Sequence, residues 1–120
     1  MIQLNSNLNV IDNSGVKKVK CIKIAGGSFT GFIGDKITIA VQKVIPNRKI
    51  KSGEVLKSLI LHTKKETQRK DGSTLKFFSN SVALLNTKDL PLGTRIFGPV
   101  SKELRKRKHM KVVSIAQGII

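Results

Sequence analysis

The chain of 120 residues suits a single domain with one modest core, and its ordinary supply of Ile, Val and Leu argues against a disordered protein. Its 23 Lys and Arg against 7 Asp and Glu give a formal net charge of +16, an excess that a polyanion usually offsets. Nucleic acid is the first candidate partner and an anionic membrane the second. No apolar run approaches the roughly 18 residues of a bilayer span, and the first residues resemble neither a signal nor a transit peptide, so we expect no membrane span.

The first half of the chain is predicted to form short strands between closely spaced turns, a pattern typical of a barrel or a sandwich. Lys17–Ala25 is the least regular candidate. It places Val19 and Cys21 on one face and Ile22 and Ile24 on the other, so it needs a bulge or burial on both faces. In the next strand, Lys36–Gln42, apolar and other residues alternate with the period of a half-buried strand; its apolar members are Ile37, Ile39 and Val41.

Further strands are predicted in the second half. Val55–Thr63 is more apolar than the preceding strand and contains the unbroken run Leu59-Ile60-Leu61, which is typical of a central strand. Asp71-Gly72 favours a hairpin turn between arms at 61–69 and 73–78, and Val82–Leu85 follows a second turn. Helix is expected only near the end. Pro99 is acceptable in a first helical turn, and good helix formers follow over Ser101–Lys108, with a second short turn over Val112–Ala116.

Three basic regions are candidate phosphate contacts: residues 102–111, the loop around Pro46-Asn47, and the base of the predicted hairpin. Consecutive cations on a helix point in all directions, which suits a helix pressed against phosphate on several sides. A solvated tail or a chance match to a nuclear-import signal is the alternative for the last run. Arg95, which lies outside these three regions, is added to them. The predicted RNA-binding residues are then Lys43, Arg48, Lys49, Lys51, Lys64, Lys65, Arg69, Lys70, Arg95, Arg105, Lys106, Arg107 and Lys108.

Aromatic residues are few, with five Phe and no Trp or Tyr, so the sequence favours folded RNA recognised by shape and backbone over a single strand held by stacking. Phe29 and Phe32 are the only plausible stacking residues, and packing within the core or loop is favoured for both. Because Phe77 and Phe78 lie in a predicted strand, we expect at least one of them in the core.

Catalytic and metal sites are not predicted. Cys21 is interpreted as a core thiol and His62 as a packed strand residue, while His109 lies among cations that would lower its pKa without supplying a catalytic partner. The chain has no HExxH, GxSxG or GxxxxGK[ST] motif, and Gly26–Gly31 lacks the P-loop lysine. We therefore expect no enzyme, no cofactor and no metal.

A set of short motifs resembles, in order and spacing, the family of large-subunit ribosomal protein fourteen. Each motif is weak alone, but the ordered set is specific and covers essentially the whole chain. The motifs are Met1-Ile2-Gln3, Asp12-Asn13-Ser14-Gly15, Ile33-Gly34-Asp35, Pro46-Asn47, Asp71-Gly72, Phe77 with Asn80, Gly93-Thr94-Arg95-Ile96-Phe97-Gly98 and Glu103-Leu104-Arg105.

The resemblance implies a mainly β protein: a small five-stranded antiparallel β-barrel with a projecting hairpin and short C-terminal helices. It implies one ribosomal-protein domain over residues 1–120, with the barrel over about 1–98 and a helical part over about 99–120. The implied function is that of a structural constituent of the large subunit. It would bind large-subunit rRNA and neighbouring large-subunit proteins and form a bridge to small-subunit rRNA.

The same resemblance places Thr94, Arg95 and Lys111 on the face turned toward the small subunit, where a silencing factor can bind in bacterial and organellar relatives. The stretch 98–109 looks most like the mitochondrial branch, which agrees with the abundance of Ile, Lys and Asn, residues with AT-rich codons. Plastid and bacterial origins stay open. So do two other functions, a basic DNA-binding or nucleoid-type module and a nuclease, although the nuclease lacks a visible acid/base pair or metal site.

Overall fold

The computed structural model describes residues 2–27, 29–46, 50–107 and 109–120, and only the backbone of Lys106. In chain order the strands are β1 (Ile2–Gln3), β2 (Asn7–Val10), β3 (Val16–Ile24), β4 (Thr30–Gly31), β5 (Lys36–Val44), β6 (Val55–His62), β7 (Thr67–Gln68), β8 (Thr74–Leu75), β9 (Ser81–Leu85), β10 (Ile96–Val100) and β11 (Ala116–Ile119). A short 3-10 segment lies at Ala25–Gly27, and the α-helices are α1 (Glu103–Lys106) and α2 (Met110–Ile115). Neither helix is long and apolar enough to cross a membrane.

Five strands close into a barrel in the order β2-β3-β5-β6-β9, which confirms the expected mainly β fold. Four neighbouring pairs are antiparallel, while β2 and β9 are parallel, with Asn9 opposite Ser81 and Val10 opposite Val82. A ring with an odd number of strands cannot alternate direction at every step, so one parallel pair is unavoidable. The barrel is therefore mixed at this single seam rather than wholly antiparallel.

Strand β3 resolves its irregular pattern by bulging. Its register against β5 shifts between Cys21 and Lys23, and two further shifts lie nearer its start. Cys21 and Ile24 are consequently both buried, whereas Ile22 is 42 % exposed. The bulge adds one residue, so the side chains of Cys21 and Ile24 point to the same face of the strand. A bulge, and not burial on both faces, therefore explains the irregular pattern. In β5 the predicted alternation is confirmed, since Ile37, Ile39 and Val41 are all buried.

Strands β6 and β9 separate two hydrophobic cores. Ile60, Val82 and Leu84 point into the barrel interior, while the alternate residues Leu59 and Leu61 of β6 pack on the outside of the barrel. The outer core is completed by the C-terminal segment through Ile96, Val100, Leu104, Val112 and Val113. Burial on both faces explains the unbroken apolar run in the second half of β6.

The C-terminal segment corrects the sequence prediction for Pro99. This residue lies in strand β10, which pairs in parallel with β11, and not in a first helical turn. Pro lacks an N–H donor, but its carbonyl is used here, because His62 Nε2 lies 2.6 Å from Pro99 O. Helix α1 is accordingly shorter than the expected 101–108, and α2 ends at Ile115, where Ala116 begins a strand that periodicity did not indicate.

The predicted hairpin turn is present, although its paired arms are only the two-residue strands β7 and β8. Asp71 Oδ1 accepts hydrogen bonds from the Ser73 backbone N–H at 3.0 Å and from its hydroxyl at 2.6 Å. These bonds lower the pKa of Asp71, with the bond from the Ser73 hydroxyl as the largest cause. Gly72 has φ +91°, a conformation that glycine adopts readily.

Candidate nucleic-acid interface

Positive charge covers the surface. Of the 19 Lys and Arg whose exposure the structure describes, 16 are exposed and three are half-buried. Within the described residues, three ion pairs form: Lys36 with Asp89, Arg69 with Glu103, and Arg107 with Asp35. Asp12 is buried and accepts hydrogen bonds from Ser14 and from the Leu84 backbone N–H. Internal pairing therefore leaves most cations free to meet an external anion.

At the hairpin base, Lys64, Lys65 and Lys70 are exposed as the sequence predicted, but Arg69 is engaged inside the protein. Its Nε donates to Glu103 Oε1 at 2.8 Å, and its Nη2 donates to the backbone oxygen of Ile120 at 2.7 Å. Burial favours a higher pKa for Glu103, but the hydrogen bonds it accepts, including that from Arg69, outweigh burial and lower this pKa. Arg69 thus joins the hairpin to the C-terminal segment.

The C-terminal basic run is docked on the barrel by Leu104, which is fully buried. Arg105 is exposed beside it. Arg107 turns back to pair with Asp35 and to pack on Gly34, where a Cβ would lie 2.8 Å from Arg107 Cδ. The side chain of Lys106 and the whole of Lys108 lie outside the described part of the chain. The run therefore combines an apolar anchor, an internal ion pair and a free cation.

The loop that follows β5 presents the third predicted region. Lys43 and Lys51 flank it and are exposed, whereas Arg48 and Lys49 lie outside the described residues. The loop returns to its strand through the Ser52 hydroxyl, which donates to Gln42 O at 3.0 Å, and through Gly53 N–H, which donates to Val41 O at 2.8 Å. The two flanking lysines are thus held on a rigid base.

Asn13 fixes the loop that carries Thr94 and Arg95. Its Oδ1 accepts the backbone N–H groups of Thr94 at 2.7 Å and Arg95 at 3.2 Å, and its Nδ2 donates to Thr94 Oγ1 at 2.7 Å. The sequence pattern indicates Asn13 only as part of a turn, because its hydrogen-bond partners lie about eighty residues away in sequence. Thr94 and Arg95 are exposed, and so is Lys111 on α2. The pairing of Ile96 with Ala116 places the segments that follow Arg95 and α2 side by side.

A comparison with known protein families shows the family of the chain that carries this surface. Residues 1–120 match the family model described as Ribosomal protein L14p/L23e. The chain belongs to this family. Membership in the L14p/L23e family makes it a structural constituent of the ribosome, in a family that is typically non-enzymatic, and implies ribosomal RNA and other ribosomal proteins as its partners. The β-barrel and the exposed cations are thus properties of a ribosomal protein.

Cys21 and His62 of this L14p/L23e member are packing residues. Cys21 is fully buried, and burial raises the pKa of its thiol, as the interpretation of a core residue requires. The ring of His62 stacks on Phe77 with centroids 4.0 Å apart and an interplanar angle of 9°, which confirms a packed strand residue. Burial lowers the pKa of His62. The pKa of His109 is lowered, and burial is the largest cause, followed by repulsion from Lys36. The neighbouring cations therefore lower this pKa as expected, but they contribute less than burial does.

The aromatic residues correct one expectation. Phe29 is 83 % exposed and Phe32 49 %, so packing does not enclose them. Phe78 and Phe97 are exposed as well, so Phe29 and Phe32 are not the only candidates for stacking. Phe77 packs against the outer core, which confirms that one residue of the Phe77-Phe78 pair is structural. Alternation gave no signal for the exposure of Phe78, because it lies just beyond the hairpin arm β8.

Proposed function

We propose that this ribosomal protein belongs to the large subunit and binds folded large-subunit rRNA by presenting exposed lysines and arginines from a rigid barrel. The observation that carries the proposal is the surplus of exposed cations after internal ion pairs have formed. A rigid β scaffold fixes the spacing of such cations, and fixed spacing suits the phosphates of folded RNA, which position a protein without being read as sequence.

The proposed phosphate contacts differ in how free their donors are. Lys43, Lys51, Lys64, Lys65, Lys70, Arg95 and Arg105 are exposed, so all their charge is available. Arg69 and Arg107 each donate part of their guanidinium N–H groups to a carboxylate, so only their remaining N–H groups could reach phosphate. Four further phosphate contacts are proposed from the sequence alone: Arg48, Lys49, Lys106 and Lys108.

We further propose that Thr94, Arg95 and Lys111 lie at a bridge to small-subunit rRNA, where a silencing factor could bind in their place. The rigid attachment of Thr94 and Arg95 to Asn13 supports this, because a bridge between subunits needs contact atoms that stay in place. The resemblance of 98–109 to the mitochondrial branch supports a mitochondrial ribosome, with plastid and bacterial ribosomes as alternatives. Fractionation of the source cell followed by immunodetection tests the compartment.

Sedimentation tests the central proposal. Extract run on a gradient in low salt should carry the chain with the large subunit, and high salt should release it. Since each neutralised phosphate steepens the salt dependence, about 6–10 contacts predict a loss of roughly 10³–10⁵ in affinity between 50 and 200 mM salt. Co-migration with the small subunit alone, or affinity indifferent to salt, would contradict the proposal.

The alternative is a basic DNA-binding or nucleoid-type module, favoured by the same charge. Direct competition separates the two functions. A fragment of structured large-subunit rRNA should displace the chain from duplex DNA of equal length and at equal salt. Equal or better binding to the duplex would support the alternative.

A further inference from the structure

An aromatic side chain lines an open cleft beside the base of the hairpin. The cleft has a volume of about 510 Å³ and is lined by Phe32, Lys65, Glu66, Thr67 and Gln68. Phe32 is 49 % exposed, so roughly half of this apolar side chain faces solvent in the isolated protein. Exposed apolar area of this kind is favourable to cover when a flat ligand is available.

The backbone on either side holds Phe32 in a fixed position. Its N–H donates to Asp35 Oδ2 at 2.8 Å, and the Asp35 N–H donates to Phe32 O at 3.0 Å. The flanking residues Gly31 and Ile33 are both buried, so the chain is anchored before and after the ring. Gly34 N–H donates to Ile60 O at 2.9 Å, which ties the same turn to strand β6. A residue whose backbone is held in this way loses little backbone conformational entropy when its side chain binds a ligand.

The cleft has the chemistry of a nucleotide site. The ring of Phe32 offers a π-face, and Lys65 supplies a cation that lines the same cleft. Every base stacks on an aromatic face, and a lysine beside it can meet the phosphate. Glu66 repels phosphate, which favours the backbone on the Lys65 side, while its carboxylate can accept a hydrogen bond from a base amino group.

We propose that Phe32 stacks with one unpaired base of the bound RNA and that Lys65 contacts the phosphate of that nucleotide. This inference rests on the proposed rRNA binding and adds to it a specific residue and the local form of the ligand, a single base extruded from a folded RNA. An RNA partner is favoured over a side chain of a neighbouring protein because the exposed Lys64 adjoins Lys65, so the hairpin base next to the cleft is cationic.

The test uses the full chain and an RNA hairpin carrying one bulged 2-aminopurine, whose fluorescence falls when it stacks. Wild type should quench the probe, and Phe32→Leu should abolish the quenching and weaken binding about five- to a hundredfold, the usual effect of losing one stacked base. Phe32→Tyr should retain both signals. Ile22→Ala is the control, since Ile22 is also an exposed apolar residue but does not line the cleft, and it should leave the quenching and the affinity unchanged.

Lys65→Ala should leave the quenching in place while lowering the salt dependence of binding, because it removes one phosphate contact and not the stacking partner. If wild type binds the RNA with strong salt dependence but Phe32→Leu binds and quenches as wild type does, stacking is overturned while the proposed function stands. If Phe32→Leu leaves RNA affinity intact but prevents association with another ribosomal protein, the cleft is a protein contact and the inference is overturned. If wild type binds no RNA, both proposals are overturned.

Discussion

Arg69 and Glu103 form a bidentate ion pair between segments that are 34 residues apart in sequence, with Nε–Oε1 at 2.8 Å and Nη2–Oε2 at 3.4 Å. The arginine extends the pair by donating to Ile120 O, so one side chain joins the hairpin, α1 and the residue that follows β11. The two side chains are only 20 % and 27 % exposed. The pair therefore acts as a structural tie between the hairpin and the C-terminal segment.

Replacing Arg69 with Ala should destabilise the protein by about 1–3 kcal/mol, because it leaves the half-buried Glu103 carboxylate and a backbone oxygen without their charged donor. Chemical denaturation at pH 7 measures the change in the free energy of unfolding. Lys36→Ala is the control: it breaks a more exposed pair with Asp89 and should cost clearly less. Equal losses for the two variants would contradict the structural role of Arg69.

Replacement of the buried Asp12 should also destabilise the protein. Its Oδ2 accepts the Leu84 N–H at 3.0 Å, which fastens the segment that follows β2 to barrel strand β9. Asp12→Ala should cost about 1–3 kcal/mol because it leaves that buried N–H unpaired, and Asp12→Asn should cost less because its amide oxygen can still accept one bond. Thermal melting of both variants checks the order. A melting temperature for Asp12→Ala as high as that of Asp12→Asn would refute it.

Strands were predictable from the sequence wherever one face alone is buried, as in β5, where Ile37, Ile39 and Val41 mark the core side. Strand β10 was not, because the burial of Ile96 and Val100 depends on α1, α2 and β11, which approach from later in the chain. Pro99 added a misleading helix signal, since the same missing N–H suits a helix start and a sheet edge.

The candidate interface was predictable to a similar degree. Charge excess alone indicated exposed lysines, and Lys64, Lys65 and Lys70 are exposed. Composition cannot show which cations are used internally, because the partners of Arg69 and Arg107 lie 34 and 72 residues away in sequence. The cleft at Phe32 likewise depends on a turn and a hairpin that meet only in the folded chain.

RNA affinity should respond to the C-terminal cations through their charge. Arg105→Ala and Lys106→Ala should each weaken binding to a similar extent for unrelated folded RNAs and reduce the slope of log K against log salt by about one unit. Lys88→Ala, which removes an exposed lysine outside the three basic regions, should change the slope less. Fluorescence titration from 50 to 300 mM salt measures both quantities. An unchanged slope would count against phosphate contact at Arg105 and Lys106.

Stability should fall in mild acid because of His62. Burial holds the pKa of this ring below its ordinary value of 6.5, so the unfolded chain binds a proton more readily than the folded one. The stabilisation associated with neutral His62 is therefore complete above about pH 6.5 and decreases as the pH falls below this value, until the folded pKa is passed. Denaturation midpoints measured from pH 7.5 down to pH 5 should decline.

His62→Gln isolates this contribution, because glutamine keeps an N–H donor for Pro99 O but does not titrate. The variant should be less stable at pH 7.5, since it loses the stacking on Phe77, yet its stability should decline less between pH 6.5 and 5. His109→Gln is the necessary companion, because burial also lowers the pKa of His109 and a second part of the decline belongs to it. If His62→Gln declines as steeply as wild type over this range, the neutral ring buried between Phe77 and Pro99 does not govern the acid sensitivity.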